Sequence, residues 1–69
     1  MGVAMDNLKI CELLDVKVNI PFEIIGQNYS NPYEFISEGN FTCLVDKNGS
    51  MADNWVVCNL INGELKVKQ

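Results

Sequence analysis

The chain has 69 residues, 48% of them hydrophobic, with 9 acidic residues against 5 basic ones and a formal net charge of -4. A chain of this length buries only about 60% of the surface that its unfolded form exposes. We therefore expect one small domain over residues 1–69, in which 1–5 form a loose lead-in. A core of this size seldom supplies more than roughly 3–5 kcal/mol, which leaves assembly into a homo-oligomer open.

The scarcity of basic and metal-binding residues excludes several classes of function. All five basic residues are Lys and none is Arg, whereas nucleic-acid binding depends on cations and favours the Arg fork. The chain has no His, and its three Cys residues stand far apart at 11, 43 and 58. We therefore predict no direct binding of nucleic acid, no metal site, no cofactor and no catalytic residue.

The hydrophobic runs are too short for a membrane protein. None approaches the ~18 consecutive apolar residues of a membrane span, and the first residues lack the basic and apolar regions of a signal peptide. The odd number of Cys residues, three, fits thiols that stay reduced rather than a set of disulfides. We expect a cytoplasmic protein with no membrane partner.

In chain order, the first predicted element is a helix over residues 7–14, with Asp6 or Asn7 as its cap. Strands are predicted over 22–25, 33–37, 41–45 and 64–68 from alternating apolar residues and the turn residues between them. The predicted core residues share the inward positions of these elements: Leu8, Cys11, Leu14, Phe22, Ile24, Phe35, Cys43, Val45, Leu60, Leu65 and Val67.

Residues 55–61 fit two structures. As a strand they form a hairpin with 64–68 across Asn62-Gly63, and the adjacent Val56 and Val57 favour this. As a helix they begin after Asp53 or Asn54 and end at Gly63 in left-handed geometry. Periodicity alone does not decide so short an apolar run.

Several stretches carry a family resemblance. They are the residues CELLDV at 11–16, PFEI at 21–24, NPYEF at 31–35 and LINGELKV at 60–67. With these stretches the chain resembles a loose group of very short proteins encoded in phages and prophages of low-GC Gram-positive bacteria, with the pattern LLGV…PFKI…LLxGxxxI. The group's LLxG segment looks helical before its Gly, so the resemblance favours the helix for 55–61.

The resemblance also implies a role. Proteins of this group look like non-enzymatic accessory factors, and some similarly small phage proteins block bacterial immunity. The elements predicted above, with the helix favoured for 55–61, give an expected α+β fold with a small antiparallel sheet of about four strands, an N-terminal helix and a second short helix before the last strand. The expected function is binding and inhibition of a bacterial protein, such as a defence factor, in the host cytoplasm. The alternatives are a small oligomeric protein that sequesters a nucleotide signal, and a structural or regulatory phage subunit.

The candidate interface residues are Trp55, Asn59, Tyr29, Tyr33 and Glu34. In the helical alternative Trp55 and Asn59 share a sector away from the core, although Trp55 could instead close the end of the core. Tyr29 and Tyr33 flank the polar loop, and Tyr33 could instead belong to the inner face of the sheet. A further expectation is an acidic rim formed by Glu34, Glu38, Asp46 and Asp53, for which the common alternative is a solvated surface.

Overall fold

The computed structural model describes residues 7–38 and 41–68, so the expected lead-in at 1–5 and the tip of the predicted turn at Gly39-Asn40 lie outside the described residues. In chain order the elements are α1 (Asn7–Leu14), β1 (Glu34–Glu38), β2 (Phe41–Val45) and α2 (Asn54–Asn62). The predicted α+β class is confirmed. The sheet has two antiparallel strands, so the prediction of about four is wrong.

Helix α1 has the predicted bounds, but its buried face is narrower than expected. Ile10 and Cys11 are buried, whereas Leu8 and Leu13 are 44% and 66% exposed. Successive residues turn by about 100° around a helix axis, so Leu8 and Leu13 lie on the two flanks of the Ile10–Cys11 face. The prediction that Leu8 belongs to the core is therefore wrong.

Strands β1 and β2 form an antiparallel ribbon in which Phe35 lies opposite Leu44 and Ile36 lies opposite Cys43. Side chains alternate between the two faces of a strand, and the buried Phe35 and Leu44 define the core face. Cys43 therefore points to the opposite face and is only half-buried. The prediction of Cys43 as a core residue is therefore wrong, and Leu44 occupies the core position in this strand.

The predicted strands at 22–25 and 64–68 do not form. Each contributes single bridges instead, Phe22 with Tyr33 and Ile24 with Val67. The Phe22–Tyr33 ladder stops because the Asn31 N–H is used in a turn, where it donates to the Gln27 carbonyl at 3.1 Å. Asn31 consequently forms hydrogen bonds to the Ile24 backbone through its side chain rather than through its own backbone.

The first residues of the predicted strand at 64–68 instead complete the C-terminal end of helix α2. The Leu65 N–H donates to the Asn59 carbonyl at 2.9 Å, so that only the last few residues remain free to pair. Lys68 donates its backbone N–H to Glu23 at 2.8 Å. The C-terminal segment thus pairs with a segment distant in sequence, over a single bridge between Ile24 and Val67.

Helix α2 settles the ambiguity at 55–61 in favour of the helix. Val56 and Leu60, one turn apart, face the core. The helix ends at Gly63, whose φ of 87° lies in the left-handed region that glycine adopts without a steric penalty. The predicted helix stop is confirmed.

The core lies between the two helices and the inner face of the ribbon. Phe22 and Phe35 stack there with ring centroids 5.6 Å apart and planes inclined by 17°. Five predicted core residues are buried, namely Cys11, Ile24, Phe35, Val45 and Leu60, and four more pack against the core while partly exposed, namely Leu14, Phe22, Leu65 and Val67. Ile10, Tyr33, Leu44 and Val56 complete it. No helix in the described part of the chain is long and apolar enough to cross a membrane.

Candidate functional site

A solvent-open depression of about 290 Å³ lies where three segments meet: the loop at 27–30, the turn at 46–52 and the first turn of α2. Its lining combines polar, acidic and apolar side chains: Gln27, Ser30, Tyr33, Asp46, Ser50, Met51, Ala52, Asp53, Trp55 and Val56. We call this the Trp55 depression. It brings together two of the predicted interface residues, Trp55 and Tyr33, from distant parts of the sequence.

Asp46 organises one wall of the Trp55 depression. Its Oδ1 accepts hydrogen bonds from the backbone N–H of Asn48 at 2.9 Å and of Ser50 at 3.1 Å. A carboxylate that caps its own turn in this way is a common use of Asp. The turn is tied to the neighbouring loop, because the Lys47 N–H donates to the Ser30 carbonyl at 3.0 Å. The Asp46 carboxylate is therefore held in a defined orientation.

The start of α2 supplies another part of the lining. Asp53 occupies the N-cap position, but its side chain makes no capping hydrogen bond. Its Oδ2 instead accepts a hydrogen bond from the Trp55 indole Nε1 at 3.3 Å. Trp55 remains 50% exposed and Met51 remains 72% exposed. This part of the lining thus presents an apolar, polarisable surface directly beside a carboxylate.

Tyr33 lies at the floor of the Trp55 depression. The residue is only 3% exposed, yet its side chain takes part in no hydrogen bond with the described residues. Among those residues no fully enclosed side-chain oxygen or nitrogen is left without a partner. The hydroxyl therefore keeps part of the small surface of Tyr33, a residue that lines the depression.

The other three predicted interface residues lie outside the lining. Tyr29 is 92% exposed beside Ser30 at the edge of the loop. Asn59 is half-buried one helical turn after Trp55, where its Oδ1 accepts from the Asn62 Nδ2 at 3.4 Å. Glu34 is half-buried opposite Val45 in the ribbon.

The expected acidic rim is divided by the fold. Asp46 and Asp53 both line the Trp55 depression, whereas Glu34 is in β1 and does not line it. The side chain of Glu38 lies outside the described residues. Met51 is not among the predicted interface residues, because a lone Met in a polar turn gives no indication of its exposure. Only the bridge between Met51 and Val45 places it at the depression.

A second depression, of about 280 Å³, lies on the segment that follows α1. It is lined by Asp15, Val16, Lys17, Ile20, Pro21, Phe22, Val67 and Lys68. Its charges are of both signs, and the Lys68 Nζ lies 3.7 Å from the Glu23 Oε1. The Trp55 depression differs because its two charged lining residues are both acidic. It is therefore the stronger candidate for selective recognition.

Metal-ligating side chains do not gather in the described part of the chain. In residues 7–38 and 41–68, no three His, Cys, Asp or Glu side chains are placed to hold a metal ion. None of the three Cys residues forms a disulfide: Cys11 is buried, Cys43 is half-buried and Cys58 is exposed.

No protein-family model, curated protein or solved structure matches this chain. The candidate site therefore rests on its own geometry, which joins two carboxylates, a half-exposed indole, an exposed thioether and a phenol.

Proposed function

We propose that this chain is a non-enzymatic protein-binding factor whose contact surface is centred on the Trp55 depression. The observation that carries the proposal is the half-exposed Trp55 beside the exposed Met51. Trp is the residue most enriched among those that dominate binding energy at protein interfaces, and Met is also enriched there. A concave centre with polar groups around it matches the usual anatomy of such a surface.

The hydrogen bond between Trp55 and Asp53 supports this assignment. It satisfies the indole N–H and restrains the ring at the surface. A restrained aromatic ring loses less conformational entropy when a partner covers it. Trp55 is thus pre-organised to act as an anchor.

For the biological setting, we propose a phage- or prophage-encoded inhibitor of a bacterial host protein, acting in the host cytoplasm. Its support is the small acidic chain and the resemblance of its sequence pattern to short phage proteins. A defence factor is the kind of host protein that the resemblance favours. A structural or regulatory phage subunit would use the same contact surface and would differ in the identity of its partner.

The nucleotide-sequestering alternative has weaker support. A phosphate entering the Trp55 depression would meet Asp46 and Asp53, and like charges in contact oppose binding. The chain also offers no Arg for phosphate recognition.

The test is capture of a partner from a low-GC Gram-positive host, followed by reconstitution with the purified partner. Trp55→Ala and Met51→Ala should each reduce the affinity by about tenfold or more. Phe41→Ala is the matched control, because Phe41 is 72% exposed like Met51 and does not line the depression. The proposal fails if no stoichiometric partner is found in several hosts, or if Phe41→Ala weakens the complex as much as Trp55→Ala.

A further inference from the structure

Building on the protein-binding function proposed above, we infer that the Trp55 depression receives an arginine side chain of the partner. The inference concerns the chemistry of the anchor that enters the depression. It rests on the charge, the acceptors and the aromatic surface that the depression combines.

The first step is the unneutralised charge of the two carboxylates. One oxygen of Asp46 accepts from two backbone N–H groups, and one oxygen of Asp53 accepts from the Trp55 indole. The second oxygen of each carboxylate accepts no hydrogen bond within the described residues. The ion pair found in this part of the chain joins Lys68 to Glu23, away from the depression. Among residues 7–38 and 41–68, the two negative charges of the depression therefore have no cation paired with them.

The second step is the hydroxyl of Tyr33. It belongs to a side chain that is more than nine-tenths buried, and it has no hydrogen-bond partner among the described residues. A polar group in such a place is normally paired. Because Tyr33 lines the depression, we assign its hydroxyl as the third acceptor for a donor that enters from solvent.

The third step selects arginine among cations. A guanidinium is planar and carries five N–H donors, so it can bond several acceptors at once, whereas an ammonium is a compact point charge. Its face stacks on an indole, and its aliphatic stem can lie along a thioether such as that of Met51. The lining therefore fits arginine better than lysine.

The test uses the fluorescence of Trp55, which is the only Trp in the chain. The protein is titrated with a capped Gly-Gly-Arg-Gly-Gly peptide and with the same peptide carrying citrulline or lysine. Citrulline keeps the shape of arginine and removes its charge. We expect a saturable change with the arginine peptide, with about tenfold weaker binding of the citrulline peptide and about threefold weaker binding of the lysine peptide.

The variants separate the depression from the net charge. Asp53→Asn keeps a good helix N-cap residue and an acceptor for the indole while it removes one negative charge, and it should weaken arginine binding by about three- to tenfold. Glu64→Gln is the matched control, since it makes the same change of charge at an exposed residue that does not line the depression. Tyr33→Phe should weaken binding by about threefold. Melting curves of each variant establish that it is folded.

The inference is overturned if arginine and citrulline peptides bind equally, if neither binds, or if Asp53→Asn and Glu64→Gln behave alike. These outcomes differ from failure of the proposed function. A partner whose capture needs Trp55 but is indifferent to Asp53→Asn would retain the function and remove the arginine anchor. Arginine binding without any host partner would retain the arginine site and remove the proposed function.

Discussion

The side-chain amide of Asn31 pairs with the backbone of Ile24 as a neighbouring strand would. Its Oδ1 accepts from the Ile24 N–H at 2.9 Å, and its Nδ2 donates to the Ile24 carbonyl at 2.9 Å. Ile24 is completely buried. One side chain thereby extends the Phe22–Tyr33 ladder by a further pair of hydrogen bonds.

The first prediction follows from this pair. Asn31→Asp keeps the shape but replaces the donor to the Ile24 carbonyl by a second acceptor, so the free energy of unfolding should fall by about 2 kcal/mol. For a domain of this size that corresponds to a Tm lower by roughly 8–16 °C. Asn28→Asp is the control, because Asn28 is exposed in the same loop. Equal melting curves for the two variants would show that the Asn31 bonds do not stabilise the fold.

The second prediction concerns the orientation of α1. Ile10→Ala removes a buried side chain and should lower the unfolding free energy by about 2–5 kcal/mol. Leu13→Ala, on the exposed flank of the same helix, should change it by no more than about 0.5 kcal/mol. Urea unfolding followed by circular dichroism measures both. Similar losses for the two variants would contradict the described helix face.

The third prediction concerns the end of α2. Gly63 has a φ of 87°, and no atom lies within 4 Å of the place where a Cβ would stand. Gly63→Ala should therefore cost about 1–2 kcal/mol through backbone conformation alone. Gly63→Asn should cost less, because Asn tolerates left-handed geometry better than Ala. Denaturant midpoints of the two variants test this order, and the reverse order would rule out the left-handed cap.

The fourth prediction concerns the three thiols. Cys58 is exposed and Cys11 is buried, and a thiol reagent must reach the sulfur to react. In the native protein we expect Cys58 to be modified first, Cys43 more slowly, and Cys11 only on unfolding. Mass spectrometry of a time course resolves the order. Cys58→Ser should abolish the fastest phase, whereas a fast phase that survives in this variant would contradict the described exposure.

Local pattern predicted the elements whose signals lie within a few residues. The bounds of α1 and β2 and the stop at Gly63 agree with the structure, since an amphipathic period, an alternation and a glycine are all readable from neighbouring positions. Residues 22–25 have the composition of a strand as well. They fail to extend a ladder because Asn31 turns its side chain toward them, and this orientation depends on the turn at residues 27–31, whose geometry the strand pattern of 22–25 does not contain.

The candidate site shows the same division. The exposure of Tyr29 could be predicted from its polar neighbours, and Trp55 could be proposed as an anchor from its position on a helical wheel. The burial of Tyr33 and the meeting of Tyr33, Asp46 and Trp55 at one depression depend on three segments packing together. No pattern in the sequence encodes that meeting, so neither the depression nor the place of Met51 in its lining could be predicted.

The single bridges beside the β1–β2 ribbon have a consequence for behaviour at high concentration. The carbonyl of Phe35 accepts from the Asn19 N–H at 2.8 Å, and the carbonyl of Leu44 accepts from the Ala52 N–H at 2.9 Å. An incoming strand from another molecule would need these acceptors to extend the sheet into a fibril. The irregular segments that contain Asn19 and Ala52 therefore occupy an acceptor on each edge of the ribbon. We expect this to oppose the addition of a strand from another molecule to the two-stranded sheet.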